Sequence, residues 1–277
     1  MDKTLKIGEM TVNRLGFGAM RITGEGIWGP PKDHDEAIRV LKRAVELGVN
    51  FIDTADAYGP DVSENLIHEA LYPYDGLVIA TKGGLIRGGP GKWTPDGSPE
   101  HIQEAVQGSL KCLGVEQIYL YQFHHPDPNV PFETTLGVFF ELQKGGSVKH
   151  VGLSNVTAEQ LRTAMGMGKI ASVQNSYSVL NRDSEEVLRV CEENGVAFIP
   201  YFPIGGNTGG LSEQTLQTIA KKYNATERQI GLAWLLQHSS VTVPIPGTSS
   251  VVHLEENMKA ADIVLEADDV AQLDSLS

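Results

Sequence analysis

The sequence predicts an α/β fold, a single (β/α)8 barrel (TIM barrel) that comprises residues 1–277. Eight short apolar segments recur along the chain, and amphipathic segments of about three to four helical turns separate them. No linker, charge block or low-complexity tract divides the 277 residues. Polar residues end several of the predicted strands, at the edge where the catalytic groups of such barrels lie.

The eight predicted strands alternate with helices in the order typical of a parallel sheet. They are Leu15–Ala19, Asn50–Asp53, Leu77–Lys82, Ile118–His124, Lys149–Leu153, Ser172–Gln174, Ala197–Tyr201 and Val241–Ile245. Two earlier segments, Thr4–Ile7 and Thr11–Leu15, flank Gly8-Glu9 and predict a β-hairpin outside this alternation. We expect the hairpin to cover one end of the barrel.

The predicted helices begin at recognisable capping residues. Asp33, Ser98, Thr157 and Thr226 precede amphipathic segments, and Pro99 follows the second of them at the first helical position. The two threonines are each followed three residues later by Gln, which is the capping-box pattern.

An open, doubly wound sheet is the competing architecture. Its dinucleotide-binding fingerprint should follow the first strand, where the chain has Gly16-Phe17-Gly18-Ala19-Met20-Arg21. This segment lacks the third glycine of the fingerprint, so the barrel is favoured.

Composition excludes several functional classes. The chain has 22 Lys and Arg against 35 Asp and Glu, a formal net charge of −13, which disfavours binding to nucleic acid or to an anionic membrane. Only two cysteines occur, so a disulfide framework or a cysteine metal site is not expected. No membrane-spanning or signal segment is evident, and we expect a cytoplasmic protein.

Four polar residues follow or end predicted strands: Asp53, Tyr58, Lys82 and His124. A tyrosine is a poor acid at neutral pH, but a nearby ammonium stabilises its phenolate and is expected to lower its pKa. Lys82 would supply this charge, and Asp53 would hold a buried Lys82 charged. His124 could hydrogen-bond a substrate oxygen. Such a site polarises and protonates a carbonyl, which implies a hydride donor.

Each residue also has an ordinary structural interpretation, as a cap, a rim charge, a packed aromatic or a core histidine. If all four interpretations were correct, four unrelated structural roles would have to occur at or near strand ends by coincidence, which favours a shared site. A metal site at His124-His125 is disfavoured because neighbours on a strand face opposite sides and cannot share one ion. We therefore predict no metal.

Several motifs, in order, resemble the signatures of the aldo-keto reductase family. They are Asp53-Thr54-Ala55-Asp56-Ala57-Tyr58-Gly59, Thr81-Lys82, Phe123-His124-His125-Pro126, Gly152-Leu153-Ser154-Asn155 and Ile245-Pro246-Gly247-Thr248-Ser249. The resemblance implies a hairpin that closes the barrel floor, Tyr58 as general acid, Lys82 and Asp53 as its tuning pair, and His124 as the residue that orients the carbonyl.

The resemblance also implies a nicotinamide cofactor, NADPH, with NADH as a further possibility. The implied cofactor-binding residues are Ser154, Asn155, Gln174, Tyr201, Phe202, Pro203, Ile204, Gly205, Gly206, Gly247, Thr248, Ser249, His253, Glu256 and Asn257. Their chemistry is suitable: amide and hydroxyl groups for a carboxamide, a flat ring for stacking, and glycine amides and a helix N-terminus for phosphates.

The chain departs from family members that carry a Lys and an Arg for the cofactor's 2′-phosphate, because Gly247 and His253 take these places. A strong preference for NADPH is therefore not expected from these two positions, and use of both cofactors is credible.

Trp28, Trp93 and His125 are the predicted substrate contacts, in loops that follow strands. The implied activity is reduction of aldehydes and some ketones to alcohols by direct hydride transfer. Gly29–Asp33, Leu71–Tyr74 and Gly247–Asn257 are similar to bacterial reductases associated with pyridoxal. The alternative is a redox-sensing regulatory protein that binds the cofactor with little turnover. We expect a monomer or a small homo-oligomer whose partner is a small carbonyl compound.

Overall fold

A computed structural model describes residues 3–205 and 214–276. Seven parallel strands form one sheet in the order β11-β10-β9-β8-β5-β4-β3, and two antiparallel hairpins lie outside it. The strands are β1 Thr4–Ile7, β2 Met10–Asn13, β3 Phe17–Gly18, β4 Phe51–Asp53, β5 Val78–Gly83, β6 Leu85–Gly89, β7 Lys92–Pro95, β8 Ile118–Phe123, β9 Val148–Ser154, β10 Ile170–Ser176 and β11 Ala197–Tyr201.

Ten α-helices are described, and two short 3₁₀ helices cover Ala19–Ile22 and Lys259–Asp262. The α-helices are α1 His34–Glu46, α2 Val62–Leu71, α3 Pro99–Leu113, α4 Phe132–Lys144, α5 Ala158–Met167, α6 Glu185–Asn194, α7 Gln214–Lys222, α8 Glu227–His238, α9 Val251–Met258 and α10 Ala267–Asp274. The predicted N-caps Asp33, Ser98, Thr157 and Thr226 all accept a backbone hydrogen bond, and both predicted capping boxes are complete.

The strand register determines which side chains enter the barrel. Ala80 lies opposite Leu120 across β5 and β8, and Lys82 lies opposite Gln122 two residues further on. Because strand side chains alternate, these residues point inward while Tyr121 and Phe123 pack against α4. The barrel interior is thus apolar near the start of the strands and polar at their carboxyl ends.

The predicted hairpin closes the floor of the barrel. Ile7 and Val12 are fully buried and belong to the same apolar cluster as Phe51 and Val78, the first residues of β4 and β5. The Tyr119 hydroxyl donates to the Ile7 carbonyl at 2.7 Å, which ties the hairpin to β8. This confirms the barrel with its N-terminal hairpin.

The eighth predicted strand, Val241–Ile245, is wrong as a regular strand. Pro244 and Pro246 have no backbone N–H, so this segment cannot form a continuous ladder. It still closes the barrel through separate bonds: the Val243 N–H donates to the Phe198 carbonyl at 2.8 Å, and the Gly16 N–H donates to the Pro244 carbonyl at 3.0 Å. The first predicted strand is likewise shorter, because Ala19 already begins a 3₁₀ helix.

A second hairpin, β6–β7, follows β5 where the sequence indicated only a loop. Leu85 pairs with Pro95 and Arg87 with Trp93 across it. Among the described residues, no helix combines the length and the apolar character required to cross a membrane.

The irregular eighth segment depends on a buried arginine, from which a stability prediction follows. Arg14 is 3 % exposed, and its side chain donates to the Thr242 carbonyl at 3.1 Å, to the Thr242 hydroxyl at 3.0 Å and to the Ser239 carbonyl. We expect Arg14→Met to lower the free energy of unfolding in urea by about 2 kcal/mol or more, because buried carbonyls lose their donors. Arg162→Met is the control, since this exposed side chain forms a surface ion pair with Glu186. Equal stability of the two variants would contradict the prediction.

Candidate active site

A cavity of about 770 Å³ opens at the carboxyl ends of the barrel strands. Its wall combines strand ends with the loops that follow them. The lining residues are Gly18, Met20, Arg21, Ile27, Asp53, Tyr58, Leu85, Trp93, Pro95, His124, His125, Ser154, Asn155, Gln174, Tyr201, Phe202, Pro203, Ile204, Arg228, Ile245, Gly247, Thr248, Ser249, His253 and Asn257.

Lys82 joins three of the four predicted catalytic groups. Its side chain is completely buried at the end of β5, and Nζ donates to Asp53 Oδ2 at 2.6 Å and to the Thr54 carbonyl at 2.8 Å. Nζ also lies 3.3 Å from the Tyr58 hydroxyl. Burial is the largest single effect and lowers the pKa of the ammonium, but the charges and hydrogen bonds of Asp53 and Tyr58 together outweigh it, so the net pKa is raised.

Asp53 is held by two amides from other strands. Its Oδ1 accepts from Gln174 Nε2 at 2.7 Å and from Gln122 Nε2 at 3.0 Å. Gln174 was expected to contact the nicotinamide carboxamide. It does line the cavity, but its amide nitrogen is directed to Asp53. Gln122, which sequence reasoning did not single out, completes the support of the carboxylate, so β4, β5, β8 and β10 all meet at this ion pair.

The pKa of Tyr58 corrects one expectation. Burial raises the pKa of the phenol, and the charge of Lys82 opposes this increase without cancelling it. The sequence argument, in which the ammonium lowers the pKa, is therefore wrong in net direction, because desolvation of the phenolate is the larger effect. At neutral pH Tyr58 is consequently fully protonated and can donate a proton.

His124 is buried beside Tyr58. The two rings meet edge to face, with centroids 5.8 Å apart. Burial, and secondly the charge of Lys82, hold the pKa of His124 well below its usual value, so the imidazole is neutral. Its Nδ1 is buried and has no hydrogen-bond partner within the described residues. Because Nδ1 is buried, the remainder of the ring, which lines the cavity, is the part that can reach a ligand, and a neutral imidazole can donate one hydrogen bond to a ligand oxygen.

The side chain of Asn155 already has protein partners. It donates to the His124 carbonyl at 2.9 Å and to the Ser154 hydroxyl at 3.0 Å, and it accepts from the Tyr201 hydroxyl at 2.7 Å. The backbone of Asn155 has φ 59°, in the left-handed region that Asn tolerates better than most residues. Asn155 therefore fixes Tyr201 and the end of β9 as well as lining the cavity.

Twelve of the fifteen predicted cofactor-binding residues line the cavity. Gly205 does not line it, and Gly206 lies outside the described residues. Glu256 also lies off the cavity wall, because it packs against the start of α8: its carboxylate accepts from the Thr226 hydroxyl at 3.1 Å and its backbone carbonyl from Gln229 at 2.8 Å.

Gly247 has a steric role that the sequence comparison could not reveal. A Cβ atom at this position would lie 2.5 Å from the Gly18 carbonyl oxygen, and one at Gly18 would lie 2.7 Å from the Ile245 carbonyl oxygen. The two backbones can approach this closely only because both residues are glycine. The Arg21 side chain lies 3.7 Å from the Cβ that would be added at position 247. It therefore occupies space next to that of a side chain at this position.

The first amide of α9 is already used by a carboxylate. The Val251 N–H donates to Glu36 Oε1 of α1 at 3.0 Å, and this backbone bond lowers the pKa of Glu36. The helix terminus alone is therefore a weaker anion site than expected. Arg21 and Arg228, which sequence reasoning missed, bring cationic side chains to the cavity. Neither lies in a motif, so only their placement in the fold identifies them.

Of the three predicted substrate contacts, Trp93 and His125 line the cavity and Trp28 does not. Trp93 meets Tyr58 edge to face with centroids 6.2 Å apart. Trp28 is 37 % exposed and its ring lies 5.7 Å from the Arg87 guanidinium, while its neighbour Ile27 contributes to the cavity wall.

Two further carboxyl groups lie near the site, Glu64 fully buried and Asp56 partly buried. Asp56 and Glu64 repel each other, and burial, as the larger effect, raises the pKa of Asp56 well above its usual value. Burial raises the pKa of Glu64 to about 7, although the Thr81 hydroxyl donates to it at 2.5 Å. Sequence reasoning did not single out these two carboxyl groups, because the burial of a carboxylate depends on the elements that pack around it in the folded chain.

Comparison with known proteins supports these observations. The model of the aldo/keto reductase family matches residues 14–277. An oxidoreductase of Schizosaccharomyces pombe is 50 % identical over 271 residues, 98 % of this chain and 89 % of that protein. Pyridoxine 4-dehydrogenase of Escherichia coli is 43 % identical over 283 residues, 100 % of this chain and 99 % of that protein. A thermostable aldo-keto reductase crystallised with the inhibitor epalrestat has a TM-score of 0.86 and 32 % identity, with 99 % of each chain covered.

The raised pKa of Glu64 predicts a pH dependence of stability. The pKa rises from 4.5 to about 7 on folding, so the folded state binds the proton more tightly than the unfolded state does. The stabilisation that proton binding at Glu64 gives to the folded state is complete below pH 4.5 and is lost as the pH rises to about 7. We expect the wild type to lose on the order of 3 kcal/mol of unfolding free energy relative to Glu64→Gln between pH 4 and pH 8.

Urea unfolding across this pH range measures the difference. Glu104→Gln is the control, since Glu104 is an exposed carboxylate on α3. If the difference in unfolding free energy between the wild type and Glu64→Gln stays constant with pH, the pKa of Glu64 does not rise on folding.

Proposed function

This chain belongs to the aldo/keto reductase family of oxidoreductases, and we propose that it reduces aldehydes and some ketones to alcohols by direct hydride transfer from NADPH or NADH. The observation that carries the proposal is the position of Lys82 Nζ, within hydrogen-bonding distance of both the Asp53 carboxylate and the Tyr58 hydroxyl. This arrangement places a protonated phenol, a fixed positive charge and a neutral imidazole at one end of the cavity.

Each group then has a defined task. A carbonyl oxygen that enters this end accepts hydrogen bonds from the Tyr58 hydroxyl and from His124, which polarises the carbonyl. A bound nicotinamide cofactor supplies the hydride to the carbonyl carbon. The Tyr58 proton moves to the oxygen as negative charge develops there, and the product is an alcohol. Lys82 stabilises the resulting phenolate, and Asp53 keeps Lys82 charged.

The cavity is suited to a dinucleotide in size and in chemistry. Its volume of about 770 Å³ lies within the usual range for ligand sites. The carboxyl ends of β9 and β10 would hold the nicotinamide, with Ser154 and Asn155 as polar contacts and Tyr201 as an aromatic surface. Gly18 and Gly247 line the cavity and add no side chain to it. Thr248, Ser249 and Asn257 would contact the adenosine end.

The cofactor's 2′-phosphate would meet Arg21 and Arg228 rather than residue 247. Both side chains line the cavity together with Thr248 and His253. These two cations support NADPH as the main cofactor. They could bind the phosphate in place of the Lys and Arg that other family members carry at the positions of Gly247 and His253.

An aromatic aldehyde is the proposed substrate class. Trp93 and Tyr58 give this end of the cavity aromatic surfaces, and Leu85, Pro95 and Ile27 add apolar ones. Pyridoxal is an aromatic aldehyde, and the similarity to pyridoxine 4-dehydrogenase supports the pyridoxal and pyridoxine pair as candidates.

Substitution of Tyr58 tests the mechanism. Tyr58→Phe keeps the ring that packs against Trp93 and His124 but removes the proton donor. We expect kcat for an aromatic aldehyde to fall at least about a hundredfold, the contribution typical of a general acid. Fluorescence titration with NADPH should give an unchanged dissociation constant. Turnover close to that of the wild type would exclude Tyr58 as the acid.

Substitution of Arg228 tests the cofactor assignment. We expect Arg228→Gln to weaken NADPH binding about tenfold, the loss typical of one charge-assisted contact, and to leave NADH binding nearly unchanged. His253→Arg should tighten NADPH binding and leave NADH binding nearly unchanged, because it adds a cation to the same part of the cavity wall. Gly247→Lys is not informative, because its Cβ would collide with the Gly18 carbonyl.

Binding is measured by fluorescence titration at two salt concentrations, because a phosphate contact weakens as salt increases. Arg162→Gln on the outer surface of α5 is the control. If Arg228→Gln changes the two affinities equally, Arg228 does not contact the 2′-phosphate.

A further inference from the structure

Arg87 on β6 has all of its hydrogen-bond donors engaged by backbone carbonyls. Nε donates to Lys92, one terminal nitrogen donates to Ile27 and Ala57, and the other to Gly26 and Gly89, at distances of 2.6–3.4 Å. A guanidinium has five N–H bonds, so each has an acceptor. Arg87 therefore has no donor left for a substrate anion. Its role is to hold together the chain segments whose carbonyls it binds.

These carbonyls belong to three different segments around the cavity. Gly26 and Ile27 lie in the loop after β3, Lys92 lies in the β6–β7 hairpin, and Ala57 directly precedes Tyr58. Arg87 thus links the proton donor's own segment to both loops that form the cavity wall opposite it.

One of these segments is strained and depends on such a link. Ile27 has φ 57°, a left-handed conformation that is rare for a β-branched residue. The Ile27 carbonyl accepts from Arg87 at 2.6 Å, and the side chain of Ile27 lines the cavity. Without Arg87 we expect this loop to relax and the cavity wall to change shape.

Arg87 also stacks on the aromatic wall. Its guanidinium carbon lies 3.5 Å from the centroid of the Trp93 ring, and the same ring faces Tyr58 edge to face. The planar guanidinium is well suited to such stacking, whereas a lysine ammonium can neither stack nor span carbonyls of three segments.

We infer that Arg87 is a positioning residue that fixes Trp93 and Ile27 opposite Tyr58 and thereby sets a preference for aromatic over small aldehydes. The inference rests on the proposed function for its substrate, but the contacts of Arg87 are independent of it. A small aldehyde has few atoms that could contact Trp93, so we expect its reduction to depend less on this wall.

The test compares Arg87→Met and Arg87→Lys with the wild type on pyridoxal and on propionaldehyde. For Arg87→Met we expect kcat/KM for pyridoxal to fall about tenfold or more, mainly through KM, with less than about a threefold change for propionaldehyde. Arg87→Lys should show the same loss of selectivity. Arg162→Met serves as the surface control. Equal losses for the two aldehydes, or full recovery of selectivity in Arg87→Lys, would overturn the inference.

Trp93→Leu is the second variant, since it removes the stacked ring and leaves Arg87 and its carbonyl contacts in place. It should reproduce the loss of selectivity, and normal selectivity in this variant would also overturn the inference. Near-UV circular dichroism gives a readout that needs no substrate: Arg87→Met should lose the Trp93 signal that Trp93→Leu identifies. If the wild type reduces neither aldehyde, the proposed function fails, while this spectral comparison still decides whether Arg87 fixes Trp93.

Discussion

The burial of the Lys82 ammonium is the constraint on which the site depends. A charge taken out of water is costly unless it is paired and its remaining protons are bonded. Asp53 supplies the pairing, the Thr54 carbonyl supplies another acceptor, and the Tyr58 hydroxyl completes the environment. Because Asp53 is itself held by Gln122 and Gln174, the ion pair is stable only while four strands keep their register.

Under the proposed mechanism, this dependence makes the strand register a requirement for catalysis as well as for stability. A shift of one residue in β5 would turn Lys82 toward the helices and bring Thr81 into the barrel. The apolar lower half, with Phe51 and Val78 packed against the hairpin, favours the observed register. The floor therefore stabilises the alignment that the polar upper half requires.

The sequence was sufficient to predict what depends on local pattern or on motif. Capping residues such as Thr157 and the residues at strand ends follow from spacing alone, and the structure has them where expected. The eighth strand failed because apolar periodicity gave too little weight to Pro244 and Pro246. The predicted direction of the pKa shift of Tyr58 was wrong. The sequence argument considered one neighbouring charge, whereas desolvation depends on how deeply the folded chain buries the phenol.

Three arginines outside every motif explain much of what the sequence could not. Arg14 replaces the missing ladder bonds of the eighth segment, Arg87 joins three loops, and Arg228 brings a cation to the cavity. Arginine suits such tasks because one planar group can serve several acceptors and stays charged when partly buried. In a chain of net charge −13, an anionic cofactor must be attracted locally rather than by the overall field. Under the proposed function that local attraction would come from Arg21 and Arg228, which line the cavity, because Arg87 is fully engaged by carbonyls. Recognition of the cofactor and of the substrate would then rest on different arginines.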